Sequence, residues 1–123
     1  MTDTEKNILI IDPDDNQRKI MAHFLRSIGY RVETGRGLYD AIKKISESTF
    51  GCMTLDVDLP EMKGYEAVSI LKNIDPFIKI IMTTKKNTKR LEAKVREQDI
   101  FFYFIKSFDK EELKLAINDT FKK

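Results

Sequence analysis

Apolar residues in this chain fall into short clusters with strand-like patterns separated by longer stretches with helical spacing. Ile8-Leu9-Ile10-Ile11 is a continuous apolar run, the pattern of a strand buried on both faces. From Asn16 to Ile28 the apolar positions are Ile20, Met21, Phe24, Leu25 and Ile28, the spacing of one helical face. Gly29 follows where a left-handed residue would close that helix. Arg31 to Thr34 predicts a second strand, and Leu38, Ala41, Ile42 and Ile45 mark a second helix. Cys52-Met53-Thr54-Leu55 predicts a third strand that ends at Asp56. A third helix runs from about Gly64 to Asn73, with Ala67, Val68 and Leu71 inward and Pro76 beyond it. Ile78 to Met82 is the fourth strand and Phe102 to Ile105 the fifth. Between them, Asn87 to Gln98 reads as a highly charged helix with only Leu91, Ala93 and Val95 to bury. Asp109 opens the last helix, with Glu112 three residues on in a capping-box-like pair. Leu113, Ala116, Ile117 and Phe121 form its inner stripe.

Five strands alternating with five helices lead to a doubly wound α/β domain with a parallel sheet, because each parallel connection needs a crossover. Residues 1–123 read as one such domain, with no repeat, low-complexity segment or linker. A sheet of this kind binds its ligand outside the carboxyl ends of the strands. The residues just past those ends are Asp12, Asp14 and Asp15, then Asp56 and Asp58, then Thr83 and Thr84, then Lys106.

Composition narrows the class further. The chain is 41% apolar and 34% charged, the balance of a soluble globular domain. No apolar run reaches the length of a membrane span, and Met1 to Lys6 has no signal-peptide core. The single cysteine, Cys52, cannot form an internal disulfide, so a reducing cytoplasm is the expected location. Cys52 lies within the third strand and reads as core filler. The sole histidine, His23, lies mid-helix with no second ligand type nearby and reads as structural. A net charge of +2 makes no case for nucleic acid. The basic stretch from Lys85 to Lys94 reads as a solvated helix face.

Carboxylates at one sheet edge repel each other unless a cation joins them, and an all-oxygen donor set suits Mg²⁺. An aspartate beside such an ion can attack phosphorus and hold the phosphoryl group covalently. A lysine and a hydroxyl there would neutralise and hydrogen-bond the phosphoryl oxygens. The structural alternative is helix capping, which is the better reading for Asp14 or Asp15 taken alone.

Leu55-Asp56-Val57-Asp58-Leu59-Pro60-Glu61-Met62-Lys63-Gly64 resembles the phosphoacceptor signature of response-regulator receiver domains, with proline four and glycine eight residues after the aspartate. Ile80-Ile81-Met82-Thr83-Thr84 and Phe104-Ile105-Lys106-Ser107-Phe108 resemble that family's hydroxyl-bearing and lysine-bearing segments. The resemblance covers nearly the whole chain. It implies a flavodoxin-like strand order of 2-1-3-4-5 and a signalling switch in place of a metabolic enzyme. It makes Asp56 the phosphoacceptor, with Thr84 and Lys106 acting beside it, and Thr84 and Tyr103 the switch pair. Mg²⁺ would be held by Asp12, Asp56 and the backbone carbonyl of Asp58. The implied partner is a histidine kinase or phosphotransfer protein. In the family the face built from the fourth helix, fifth strand and fifth helix carries the output. Here Phe101, Phe102, Tyr103, Phe104 and Phe108 lie in that region with Lys89, Arg90 and Lys94 nearby. The expectation is a homodimer or an acidic protein partner on that face, with Phe101 or Tyr103 near the surface.

The chain departs from the family pattern at four places. Pro13 stands where a second acid is usual after Asp12, leaving Asp14 or the Asp58 side chain to supply the missing oxygen. Lys85 replaces a small residue after Thr84, where it could hinder phosphodonors or swing in to pair with the phosphoryl group. Ser107 replaces the proline after Lys106, so a trans bond and a re-routed loop are expected, since a cis bond without proline costs about 3–4 kcal/mol. Asp99-Ile100 replaces a Gly-Ala pair, and aspartate tolerates the left-handed conformation better than most residues. These departures keep open a pseudo-receiver that binds proteins without phosphorylation. Asp56-Val57-Asp58 also has the form of the Asp-x-Asp of haloacid dehalogenase-like phosphatases, a less favoured alternative.

Overall fold

The computed structural model describes residues 6–107 and 109–122. Phe108, counted above among the aromatics, lies outside them. The five strands are β1 (Asn7–Ile11), β2 (Arg31–Gly35), β3 (Cys52–Asp56), β4 (Lys79–Thr84) and β5 (Phe102–Ile105). They alternate with α1 (Asp15–Ser27), α2 (Leu38–Glu47), α3 (Gly64–Ile74), α4 (Lys89–Arg96) and α5 (Lys110–Thr120). All the pairings are parallel and the order is β2-β1-β3-β4-β5, as the alternation and the resemblance lead one to expect.

The unbroken apolar runs are explained by two cores, one on each face of the sheet. Successive side chains of a strand point to opposite faces. Leu9, Ile11, Met53, Leu55, Ile80 and Met82 therefore pack with α2, α3 and Val95 of α4. Ile8, Ile10, Cys52 and Ile81 pack with Met21, Ala22 and Leu25 of α1 and Leu113, Ala116 and Ile117 of α5. No described helix is long and apolar enough to cross a membrane.

Several local expectations hold. Gly29 adopts φ 101° beyond the end of α1, and the inward residues assigned to α3 are all buried. Others need correction. Ile20 shares the helical spacing of α1 but is half exposed, and Ala22 takes its place in the core, because the buried stripe of α1 is narrower than the apolar one. Ala93 of α4 is exposed and Leu91 half-buried, leaving Val95 as that helix's one fully buried side chain. Asp99 is not left-handed, since no described non-glycine residue has positive φ. The Lys106–Ser107 peptide is cis, contrary to the trans bond expected without proline. The trans preference belongs to the isolated linkage. Here Lys106 is held on both sides, by a backbone bond to Thr84 and by the ion pairs described below.

Cys52 is fully buried, and burial pushes its thiol up to about 12 against the weaker opposing hydrogen bond with Thr120. A thiolate is the reactive form, so a buried thiol of this kind is inert. In native protein at pH 8, a thiol reagent should leave Cys52 unmodified, and label it fully once denaturant unfolds the chain. Rapid native labelling would contradict this burial.

Candidate functional site

The parallel register sets the strand ends side by side. Asp56, the last residue of β3, pairs with Thr83, and Thr84 at the end of β4 pairs with Ile105. The Val57 N–H donates to the Thr83 carbonyl at 2.9 Å and the Lys106 N–H to the Thr84 carbonyl at 2.7 Å, extending both ladders past the strands. Three predicted residues converge as a result. The Lys106 ammonium donates to Asp12 Oδ2 and to Asp56 Oδ1, each at 2.6 Å, and all three side chains are almost wholly buried. The remaining oxygens accept backbone donors: Asp12 Oδ1 from the Asp14 N–H at 2.9 Å, Asp56 Oδ2 from the Asp58 N–H at 2.8 Å.

Gly64 explains its own place in the signature. A Cβ there would lie 2.2 Å from the Asp56 carbonyl oxygen and 3.0 Å from the Met82 methyl. The Gly64 N–H donates to the Val57 carbonyl at 2.6 Å, so the start of α3 presses directly on the end of β3.

Other predicted residues behave differently. Asp14 is the N-cap of α1, and its Oδ1 accepts from the Asn16 and Gln17 N–H groups at 3.0 and 3.1 Å. Its Oδ2 accepts from the Lys85 ammonium at 2.9 Å, and this bond above all holds the Asp14 carboxyl down to about 2. The capping reading of Asp14 therefore holds. The Asp58 carboxylate is taken by Lys63 at 2.6 Å and faces solvent, which leaves its backbone as the part that belongs to the site. Thr84 is buried, with its hydroxyl 3.2 Å from the Lys86 carbonyl. Tyr103 is also buried, and its hydroxyl donates to Asn87 Oδ1 at 2.6 Å. Phe101 is exposed, as expected for one of the two.

Two residues with structural roles at the site escaped the sequence reading. Glu61 caps α2, accepting from the Leu38 N–H at 2.8 Å and the Tyr39 N–H at 3.4 Å. The signal was present: Gly37 precedes that helix and has no side chain to cap it. Asn87 is the partner of Tyr103, a contact across 16 residues that no local pattern announces.

Burial, joined by repulsion from Asp12, pushes the Asp56 carboxyl up, against the opposing pull of Lys106. Burial alone would lower the Lys106 ammonium, but its bonds to Asp12 and Asp56 outweigh this and raise it. Two carboxylates share one lysine, so the cluster keeps a net negative charge and an all-oxygen surface. That donor chemistry fits a hard divalent cation such as Mg²⁺, completed by waters. Asp12, Asp56 and the Asp58 carbonyl would hold it. Among the described residues no third acidic side chain joins them.

A doubly wound domain of order 2-1-3-4-5, with an acid-acid-lysine cluster at its carboxyl edge, has the fold and edge chemistry of a receiver domain. The Response regulator receiver domain family model matches residues 8–118, and the chain belongs to that family. Over 122 residues it is 30% identical to the response regulator protein TodT of Pseudomonas putida, covering 99% of this chain but only 54% of TodT. A CheY-like receiver domain structure from Methanospirillum hungatei superposes with a TM-score of 0.88 at 25% identity, over 94% of this chain and 93% of that one. The Thermotoga maritima response regulator TrrA, solved in complex with Mg²⁺-BeF, gives a TM-score of 0.82 at 27% identity, over 94% and 98% of the two chains.

Replacing Lys106 leaves two buried carboxylates unpaired, which costs about 3–5 kcal/mol when a buried pair is broken. Lys106→Met should therefore lower stability at pH 7 by about 3 kcal/mol in urea unfolding. The loss should shrink as pH falls through the raised range of Asp56, because a protonated carboxyl no longer needs the lysine. A constant loss at all pH values would exclude this electrostatic account. Gly64→Ala should cost roughly 1–3 kcal/mol through overpacking against the Asp56 carbonyl, and a neutral result would mean the loop yields freely.

Proposed function

We propose that Asp56 accepts a phosphoryl group from the phosphohistidine of a histidine kinase or phosphotransfer protein, and that the domain then shifts between two conformations. One observation carries this reading: Asp56 stands at the end of β3 in contact with Lys106, with the buried Thr84 at the adjoining strand end. An Asp56 carboxylate oxygen forms the new bond to phosphorus while the phosphorus–nitrogen bond of the donor breaks. The departing imidazole keeps the electron pair and takes a proton from solvent. Lys106 then neutralises the phosphoryl oxygens from its place between Asp12 and Asp56. Mg²⁺, held by Asp12, Asp56 and the Asp58 carbonyl, would supply further charge neutralisation, in keeping with the Mg²⁺-BeF complex of TrrA.

Thr84 is placed to answer a phosphoryl group. Its hydroxyl lies 3.2 Å from the Lys86 carbonyl, accepts from the Lys86 N–H at 3.4 Å and bonds Tyr103, and a charged acceptor would draw it inward. Movement of Thr84 would free volume beside Tyr103, whose ring is covered by Arg96 at 5.9 Å. The signal would emerge on the face of α4, β5 and α5. A groove of about 500 Å³ there is lined by Phe102, Ile105 and Leu115, with Glu112 and Asp119 beside them. The basic Arg96 of α4, lying over the Tyr103 ring, borders the same face. Apolar and acidic on one side and basic on the other, this face suits a second copy of the chain better than an acidic partner. The domain turns over no substrate beyond slow self-phosphorylation from small donors and loss of that group. The match of the receiver family model to residues 8–118 favours the receiver over a phosphatase. A cytoplasmic setting accords with the free, buried Cys52.

Treatment with acetyl phosphate and Mg²⁺ should add one phosphoryl group by intact-mass spectrometry, absent in Asp56→Asn. Modification that survives in Asp56→Asn removes Asp56 from this role, and no modification of the wild type favours the protein-binding pseudo-receiver. Pro13→Asp restores a carboxylate beside Asp12 and should tighten Mg²⁺ binding, followed by tyrosine fluorescence or NMR.

A further inference from the structure

We propose that Lys85 controls cation access to the acidic cluster by holding Asp14, the next acid after Pro13, whose backbone N–H is already tied to Asp12. This rests on the reading of Asp12 and Asp56 as cation ligands.

The argument begins with Pro13, which supplies no carboxylate after Asp12. The next acid in the chain is Asp14, whose N–H already bonds the Asp12 carboxylate and so ties its backbone to the cluster. Asp14 Oδ1 is committed to two helix N–H groups. Its Oδ2 has one partner, Lys85, which comes from the end of β4 on the other side of the cluster. The ion pair thus bridges the loop after β1 and the loop after β4 across the mouth of the site. The Lys85 ammonium also stands within the fields of Asp12, which attracts it, and Lys106, which repels it. A cation entering between Asp12 and Asp56 meets this second positive charge. It also finds Oδ2 of Asp14, the first carboxylate after Pro13, already taken.

The contact is weak enough to compete with. Side-chain exposure is 64% for Lys85 and 33% for Asp14, so solvent screens the pair. A screened pair of this kind shifts a competing equilibrium by about two- to fivefold. The pair can then open when a cation binds, which releases Lys85 toward the phosphoryl oxygens that would follow.

The test is a titration of the full chain with Mg²⁺ at low salt, followed by amide NMR, in wild type, Lys85→Met, Asp14→Asn and the double variant. Asparagine keeps the N-cap, so Asp14→Asn preserves α1. Lys85→Met should tighten binding about two- to fivefold, and the gain should shrink at high ionic strength. Adding Asp14→Asn to Lys85→Met should abolish the gain, because the freed oxygen is then missing. Unchanged or weaker binding in Lys85→Met overturns the proposal. A gain that persists in the double variant also overturns it, since Lys85 would then act by charge alone. Absence of binding in every protein, Pro13→Asp included, overturns instead the underlying reading of Asp12 and Asp56 as ligands.

Discussion

Two carboxylates and one ammonium, all nearly removed from water, hold the carboxyl edge of this sheet together. Desolvating a charge costs several kcal/mol, so none of the three groups is stable there without the others. Lys106 reaches Asp12 and Asp56 at 2.6 Å each, and backbone N–H groups take the two remaining carboxylate oxygens. Because the three come from β1, β3 and the end of β5, the cluster ties the ends of distant strands to one another. The same arrangement leaves an excess of negative charge, which fits a cation at that edge and the phosphoryl transfer proposed for Asp56.

The surrounding loops are shaped to keep that cluster in place. Gly64 lets α3 start against the Asp56 carbonyl, where any side chain would collide. Glu61, from the same loop, reaches across to cap α2, whose own N-cap residue is a glycine. Asp14 caps α1 while its backbone N–H supports Asp12. The loop after β3 thus positions Asp56, anchors its own helix and caps the start of a neighbouring one. A change in the charge on Asp56 would be felt through each of these contacts.

Much of this could be read in the sequence. The alternation of strand and helix patterns announced a doubly wound parallel sheet, and the acids and lysine just past the strands do converge at one edge. Asp56, Thr84 and Lys106 were legible because strand-end position and residue type coincide. Glu61 and Asn87 were missed because each acts on a partner far along the chain. Asp14 could be read either as a cap or as a ligand, and the spacing of residues cannot choose between them. The trans expectation at Ser107 applied a local rule at a point where contacts from three strands decide the backbone.

The sequence by itself determined the element order, the doubly wound sheet and the identity of the acids, hydroxyl and lysine at its edge, because periodicity and turn chemistry are local properties. Only the tertiary structure decided which oxygen each donor takes. Lys106 lies 50 residues from Asp56 and 94 from Asp12, and Lys85 lies 71 from Asp14. Hydrogen bonds and ion pairs act over a few ångströms. Such pairings are fixed only when the register of the strands brings their ends together.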